Sequence, residues 1–362
     1  MTATAATCPV HPRSVPEGRI PLISIEGAPY DCGRQYADLV LSRYPGYRTN
    51  LDLVANWQNL PAAEKKLVEQ QAPQLLDLYR GLYEVAGPGR APVQPANPNA
   101  APGRPGRSVS FALSGALTLD GHPMAGQTKD ITADRIPLYI ILRLKMTGAP
   151  AIMVLCYPGE VMGYGFWSPG LCLFRNTLYS RGKSTTGIQY TVMTSVLMSC
   201  RTVEAAVELM EKHGRMSMGT TTYTDVAGRS VSFETNCGGQ GYVRDVDGLN
   251  VHTNHPLAET TRAAEHYVFD DLKPNSLFRR QRMHEALKAE HGRLTVQKVF
   301  HMLADHAGYP YGTCKHEGAD GAITSVAVVV EPTRGLLHAV RGQPCCNWPF
   351  TYSLDGADCL GM

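Results

Sequence analysis

The spacing of hydrophobic positions changes several times along this chain. Residues 20–25, IPLISI, form a short apolar run that predicts a buried strand. EGAPYDCGRQYADLV then predicts a turn leading into a helix. From Leu51 to Val85 apolar residues recur at three- and four-residue spacing, predicting helix that Pro61 and Pro73 divide into segments. After Arg107 the pattern turns to β. SVSFALSGALTLDGHPMAGQTKD alternates around an Asp-Gly turn, the signal of a hairpin. IPLYIILRLK and APAIMVLCYPG predict two more strands joined at Thr147-Gly148. Further strands are predicted at LCLFRN, IQYTVM, TTTYTD, SVSFET, AITSVAVVV and GLLHAVR. Helices are predicted at TVEAAVELMEKHG, SLFRRQRMHEALKAEHG and TVQKVFHMLADHAG. Strands and helices that do not strictly alternate predict an α+β fold with large, mainly antiparallel sheets.

Composition breaks this pattern once. Residues 86–107, AGPGRAPVQPANPNAAPGRPGR, hold six prolines, four glycines and three arginines, with no acid and no aromatic. Such a stretch buries no apolar face and predicts an exposed, partly extended linker. It divides a single domain of 1–362 into an N-terminal strand and helical part, 1–85, and a larger part, 108–362. The hexapeptide GRSVSF occurs at 106–111 and again at 228–233. The second copy follows a turn, so the repeat specifies a turn-to-strand transition and no function by itself.

Charge and cysteine usage remove other classes. A net charge of +2 supplies no basic face for nucleic acid. No run approaches the ~18 apolar residues of a membrane span. The first residues, MTATAATCPVHPRSVPEGR, have no apolar stretch after a basic start, so a cytoplasmic location is expected. The ten cysteines include no CxxC pair. No metal site or cofactor is expected, and the cysteines read as buried, reduced thiols. The adjacent Cys345 and Cys346 are the one pair with a redox reading.

Ser108 is the first residue after the linker and the first of the hairpin. Cutting the Arg107–Ser108 bond would make it N-terminal, with its hydroxyl as nucleophile and its own α-amine, of reference pKa about 8, as general base. GRSVS is not a nucleophile elbow, because Ser110 replaces the last glycine and a linker precedes it instead of a strand. VHTNHPL, 251–257, reads as a polar loop in which Asn254 can donate to an oxyanion or simply cap a turn. His252 and His255 lie three apart with no third ligand nearby, so metal binding there is not expected. LADHAGYPYGTCKHEG, 303–318, gathers Asp305, His306, Lys315, His316 and Glu317 as either a charged pocket wall or a solvated loop.

Taken in order, these segments resemble the penicillin acyltransferase family of self-cleaving N-terminal-nucleophile (Ntn) hydrolases. The residues that carry it are EGAPYDCGRQYA, the hairpin from Ser108 to Asp130, GFWSPGLCLFRNTL, VHTNH, SLFRRQRM and GYPYGTCKH. The resemblance implies a four-layer αββα sandwich. It implies Ser108 at the position of the family's cysteine nucleophile, with Arg107–Ser108 as the cleavage site. It aligns Asn254 with the oxyanion asparagine, Asp130 with a catalytic aspartate and Lys315 with a substrate-pocket arginine. Thr128-Lys129 replaces the family's Asn-Trp, so the pocket floor is expected to differ. Phe166, Tyr309 and His252 complete the expected substrate contacts. The expected activity is hydrolysis or transfer of an acyl group from a small-molecule amide, by a heterodimer of the protein's own two fragments. An uncleaved single-chain enzyme and an inactive small-molecule binding member are the alternatives.

Overall fold

In a computed structural model of the chain, which describes residues 18–47, 59–87, 106–317, 321–356 and 360–361, the segments fold in the following order. Strand β1 (Leu22–Gly27) leads into helices α1 (Pro29–Arg43), α2 (Ala62–Gln71) and α3 (Gln74–Ala86). The hairpin β2 (Arg107–Leu113) and β3 (Met124–Thr132) follows. Next come β4 (Ile140–Met146), β5 (Ala151–Cys156), β6 (Tyr164–Ser168), β7 (Leu171–Asn176) and a two-residue β8 (Ile188–Gln189). Helices α4 (Tyr190–Val196) and α5 (Val203–His213) precede β9 (Arg215–Met216), β10 (Gly219–Asp225), β11 (Ser230–Asn236), β12 (Gly239–Arg244) and β13 (Leu249–His252). Helices α6 (Glu259–Arg262), α7 (Leu272–Ala289) and α8 (Val296–Leu303) lead to β14 (Ala322–Glu331), β15 (Leu336–Arg341), β16 (Phe350–Ser353) and β17 (Leu360–Gly361).

Two large sheets result. The first has the order β1-β4-β5-β6-β7-β10-β11-β12 and the second β13-β2-β3-β14-β15-β16-β17. Only β1–β4 pairs parallel within them; the other pairs are antiparallel. Three apolar layers hold the stack. Helices α1 to α5 cover one face of the first sheet, through residues such as Tyr36 and Leu78 against Leu142 and Val154. The inner faces meet through Ile141, Met153 and Phe174 against Val326 and Val328. Val109, Phe111 and Val329 on the second sheet's outer face meet Met283 and Phe300 of α7 and α8. The architecture is the four-layer αββα sandwich. Both faces of each sheet are covered, so runs such as AITSVAVVV are apolar at successive positions instead of alternating.

Several segments differ from the sequence reading. IQYTVM contributes only Ile188 and Gln189 to a strand, and Tyr190 starts α4. Val192, Met193 and Val196 then lie on one side of a helix buried against the first sheet, which outweighs β propensity. Residues 133–138 form a 3₁₀ turn before β4, consistent with Pro137 lacking an N–H. VHTNHPL is not wholly loop, since Val251 and His252 end β13. The linker is shorter at both ends: Ala86 closes α3, and Arg107 is a buried residue opening β2. Its residues 88–105, like residues 51–58 of the expected helical part, lie outside the described residues.

Close packing of α1 on α3 explains Gly33 of EGAPYDCGRQYA and its counterpart Gly81. A Cβ on Gly33 would sit 2.1 Å from the Leu78 carbonyl oxygen, and one on Gly81 2.0 Å from that of Tyr30. Gly81→Ala is therefore expected to lower unfolding free energy by about 1–3 kcal/mol in urea titration, whereas Gly46→Ala, with nothing within 4 Å, stays within about 0.5 kcal/mol.

Candidate active site

The site forms where one β-ladder runs out. Edge strand β13 pairs with β2 from Leu249↔Leu113 to His252↔Ser110 and then stops. Two residues on, the Asn254 side chain replaces the missing ladder acceptor. Ser108 N–H donates to Asn254 Oδ1 at 3.1 Å, and Asn254 Nδ2 donates to the Thr177 carbonyl at 2.8 Å. Helix α7 fixes the turn that carries Asn254: Ser276 Oγ accepts the N–H groups of Asn254 and His255 at 2.9 and 3.1 Å. Sequence reading placed Ser108 and Asn254 in one site, and the structure brings them into contact.

Arg279, which sequence reading did not single out, joins these parts. It lies four residues after Asn275 on α7 and is 1% exposed. Its Nη1 donates to the Ser108 carbonyl at 2.6 Å, Nη2 to Asn254 Oδ1 at 2.8 Å and Nε to Asn275 Oδ1 at 2.8 Å. The segment SLFRRQRM held the signal, but only burial separates Arg279 from Arg280 and Arg282.

Asp130 pairs across the hairpin with Arg107 and is 1% exposed. Alternation along β2 and β3 puts Val109 with the α7–α8 layer and Ala112, Ala125 and Ile131 between the sheets. Ser108 and its cross-strand partner Lys129 therefore face the intersheet space, while Arg107 and Asp130 face the helices. Thr324 Oγ1 donates to Asp130 Oδ1 at 2.7 Å and accepts the Lys315 N–H at 2.8 Å. A β-bulge at Ser325 marks this end of β14. Burial pushes the Asp130 carboxyl up, against the pull of Arg279, Thr324, Lys315 and Arg107. Asp130 and Lys315 thus form a charge cluster behind Ser108.

On the other side lies a cavity of about 280 Å³. Lys129 lines it, with Nζ 5.1–5.9 Å from the ring centroids of Tyr139, Tyr157 and Tyr164. Such faces stabilise an ammonium, as does the nearby Glu160, which is among the groups that hold the Lys129 charge against the cost of burial. Arg175 and Tyr190 also line the cavity, with the guanidinium carbon 4.1 Å from the ring centroid. Of Thr128-Lys129, where the pocket floor is expected to differ, only Lys129 lines this cavity.

The four expected substrate contacts all fall elsewhere, Lys315 among them, since it lies with Asp130 and does not line the cavity. Phe166 is fully buried in the intersheet core; Tyr164, two residues earlier on the same strand, lines the cavity instead. His252 is fully buried, with Nε2 2.6 Å from Glu234 Oε1. Burial raises the Glu234 carboxyl, but hydrogen bonds with His252, Thr261 and the Leu257 N–H outweigh it and leave the group below its ordinary value. Tyr309 is half-buried in the turn after α8 and is not among the cavity-lining residues.

Burial, with His252 and Arg280 nearby, pushes the His255 imidazole down to about 3. The folded protein keeps it neutral while the unfolded chain takes up a proton near pH 6.5. His255 should therefore cost stability progressively as pH falls from about 6.5 toward 3 and nothing above that window. Urea titrations at several pH values should show a shallower acid limb for His255→Gln than for the parent.

A family model described as acyl-coenzyme A:6-aminopenicillanic acid acyl-transferase matches residues 120–344, a span that includes Asp130, Asn254, Arg279 and Lys315 and begins after Ser108. No curated protein matches the chain. Among solved structures, the chain is similar to a mutant of conjugated bile acid hydrolase from Clostridium perfringens. That match has 11% identity and a TM-score of 0.47, covering 70% of this chain and 96% of that one. Penicillin V acylase from Agrobacterium tumefaciens gives 14% identity and a TM-score of 0.42, covering 69% and 87%. The family match spans more than half of the sequence, and the chain belongs to the acyl-coenzyme A:6-aminopenicillanic acid acyl-transferase family.

Proposed function

We propose that the protein transfers or hydrolyses the acyl group of a small-molecule amide through an ester on Ser108, after cutting its own chain at Arg107–Ser108. The observation that carries this reading is the Ser108 N–H held by Asn254 Oδ1 while the Ser108 side chain shares a face with cavity-lining Lys129. In the uncut chain, Ser108 Oγ attacks the Arg107 carbonyl. The acyl group moves from N to O, and water opens the resulting ester. The freed α-amine keeps Asn254 Oδ1 as its acceptor and Arg279 on the adjoining carbonyl, which fixes its direction.

In turnover, that amine takes the Ser108 hydroxyl proton as Oγ attacks the substrate carbonyl, and returns it to the leaving amine. An amide NH2 has two donors; Thr177 O takes one from Asn254, leaving the second for the oxyanion. Water or a second amine then releases the acyl group. The tyrosine-lined cavity suits an aromatic acyl group, and Lys129 and Arg175 suit a polar or anionic substituent on it. Natural-product metabolism is a setting in which such amides arise.

A second reading, an uncleaved single-chain enzyme, has its own support. Arg107 is 4% exposed, belongs to β2 and pairs with Asp271 at 3.3 Å, so the bond to be cut lies inside a strand.

Intact-mass measurement on purified protein is expected to give fragments of 107 and 255 residues, and Ser108→Ala to remain one chain of 362. The cleaved form should turn over phenylacetyl amides at least ~10-fold faster than acetyl amides, as one extra well-packed group allows. An uncut chain that keeps its amidase activity as Ser108→Ala would overturn the assignment of Ser108.

A further inference from the structure

Outside this site, four side chains from distant sequence positions converge. His306 follows α8, Cys314 and His316 flank Lys315, and Cys345 sits in the turn after β15. One donor atom from each lies within 4.8 Å of all the others. His316 Nε2 is 3.1 Å from His306 Nε2, 3.1 Å from Cys345 Sγ and 3.9 Å from Cys314 Sγ. Cys314 and His316 are buried, the other two half-buried.

We propose that His306, Cys314, His316 and Cys345 form a tetrahedral site of two thiolates and two imidazoles for one thiophilic divalent cation, with zinc as the fitting ion. Zinc bonds of ~2.0–2.1 Å to nitrogen and ~2.3 Å to sulfur put tetrahedral ligands roughly 3.4 Å apart for N–N and 3.6 Å for N–S. The observed separations straddle these values. Two thiolates and two neutral imidazoles cancel the charge of a divalent cation, which removes the cost of burying it. A lone Cys345–His316 pair would read as a nucleophile and its base. The second thiol and second imidazole close the shell instead, leaving no open position for substrate, which marks a structural site.

Spacing hid the cluster. Cys314 and His316 are two apart, but His306 is eight residues before Cys314 and Cys345 is 29 after His316. Their convergence depends on β14 and β15 carrying the chain out and back, and on the turn after α8. That turn is anchored independently, with Arg282 Nε on Asp305 Oδ2 at 2.8 Å and the Cys314 N–H on the Asp305 carbonyl at 3.0 Å. The metal would clasp the loop that presents Lys315 to the Thr324–Asp130 pair and so join the back of the active site to the end of β15.

The test uses full-length protein expressed with zinc, freed of loose metal by gel filtration and assayed by elemental mass spectrometry. About one zinc per chain is expected, with at least ~10-fold less in Cys314→Ser and Cys345→Ser and full occupancy in Cys237→Ser. Should the variants fail to fold, the parent decides. Alkylation followed by peptide mapping should leave Cys314 and Cys345 protected in the loaded protein and modified after chelation, together with a lower melting temperature. Parent protein that holds well under one zinc after loading, a recovered Cys314–Cys345 disulfide, or zinc retained in both Cys314→Ser and Cys345→Ser would each overturn the proposal.

Discussion

The candidate site depends on one buried guanidinium. Arg279 is fully enclosed, and its three nitrogens reach the Ser108 carbonyl, Asn254 Oδ1 and Asn275 Oδ1. A charge taken out of water at this depth persists only if its donors are satisfied in good geometry, and breaking such a set costs about 3–5 kcal/mol. The three acceptors belong to the first strand of the hairpin, the turn beyond β13 and helix α7. The outer helical layer, the edge strand and the nucleophile strand are therefore locked in one arrangement at the point where the β-ladder ends.

The two faces of the hairpin then separate two tasks. On the helix side, Arg107, Asp130, Arg279 and Lys315 make a charged cluster that fixes backbone positions. On the intersheet side, Ser108 is the cross-strand neighbour of Lys129, and Lys129 lines the tyrosine-rich cavity. Strand alternation makes this division: residues one apart on β3, Lys129 and Asp130, serve opposite sides of the sheet. The cluster of two cysteines and two histidines belongs with the charged side, because its loop carries Lys315 and meets β14 at Thr324.

Much of the layered fold was legible in the sequence. Runs such as LCLFRN and SVSFET became strands at nearly the predicted bounds, since their apolar density suits burial on both faces. The helices after Thr202 and Thr295 begin where those threonines accept from the N–H three residues on. The segment from Tyr190 misled because β-branched and aromatic residues favour strands only until packing rewards a helical stripe. Phe166 misled because an aromatic near a glycine-rich turn looks the same in sequence whether it lines a cavity or fills a core.

Local order was therefore set by the chain itself: which segments are strands, where the hairpin turns, and that Ser108 follows a segment unable to form a core. Tertiary structure alone decided which of three nearby arginines is buried against Ser108, that Lys129 rather than Asp130 faces the cavity, and that His306, Cys314, His316 and Cys345 meet. Each of these depends on contacts between residues tens to hundreds of positions apart. Periodicity reports which side of an element is apolar, and it carries no information about what the opposing element presents to that side.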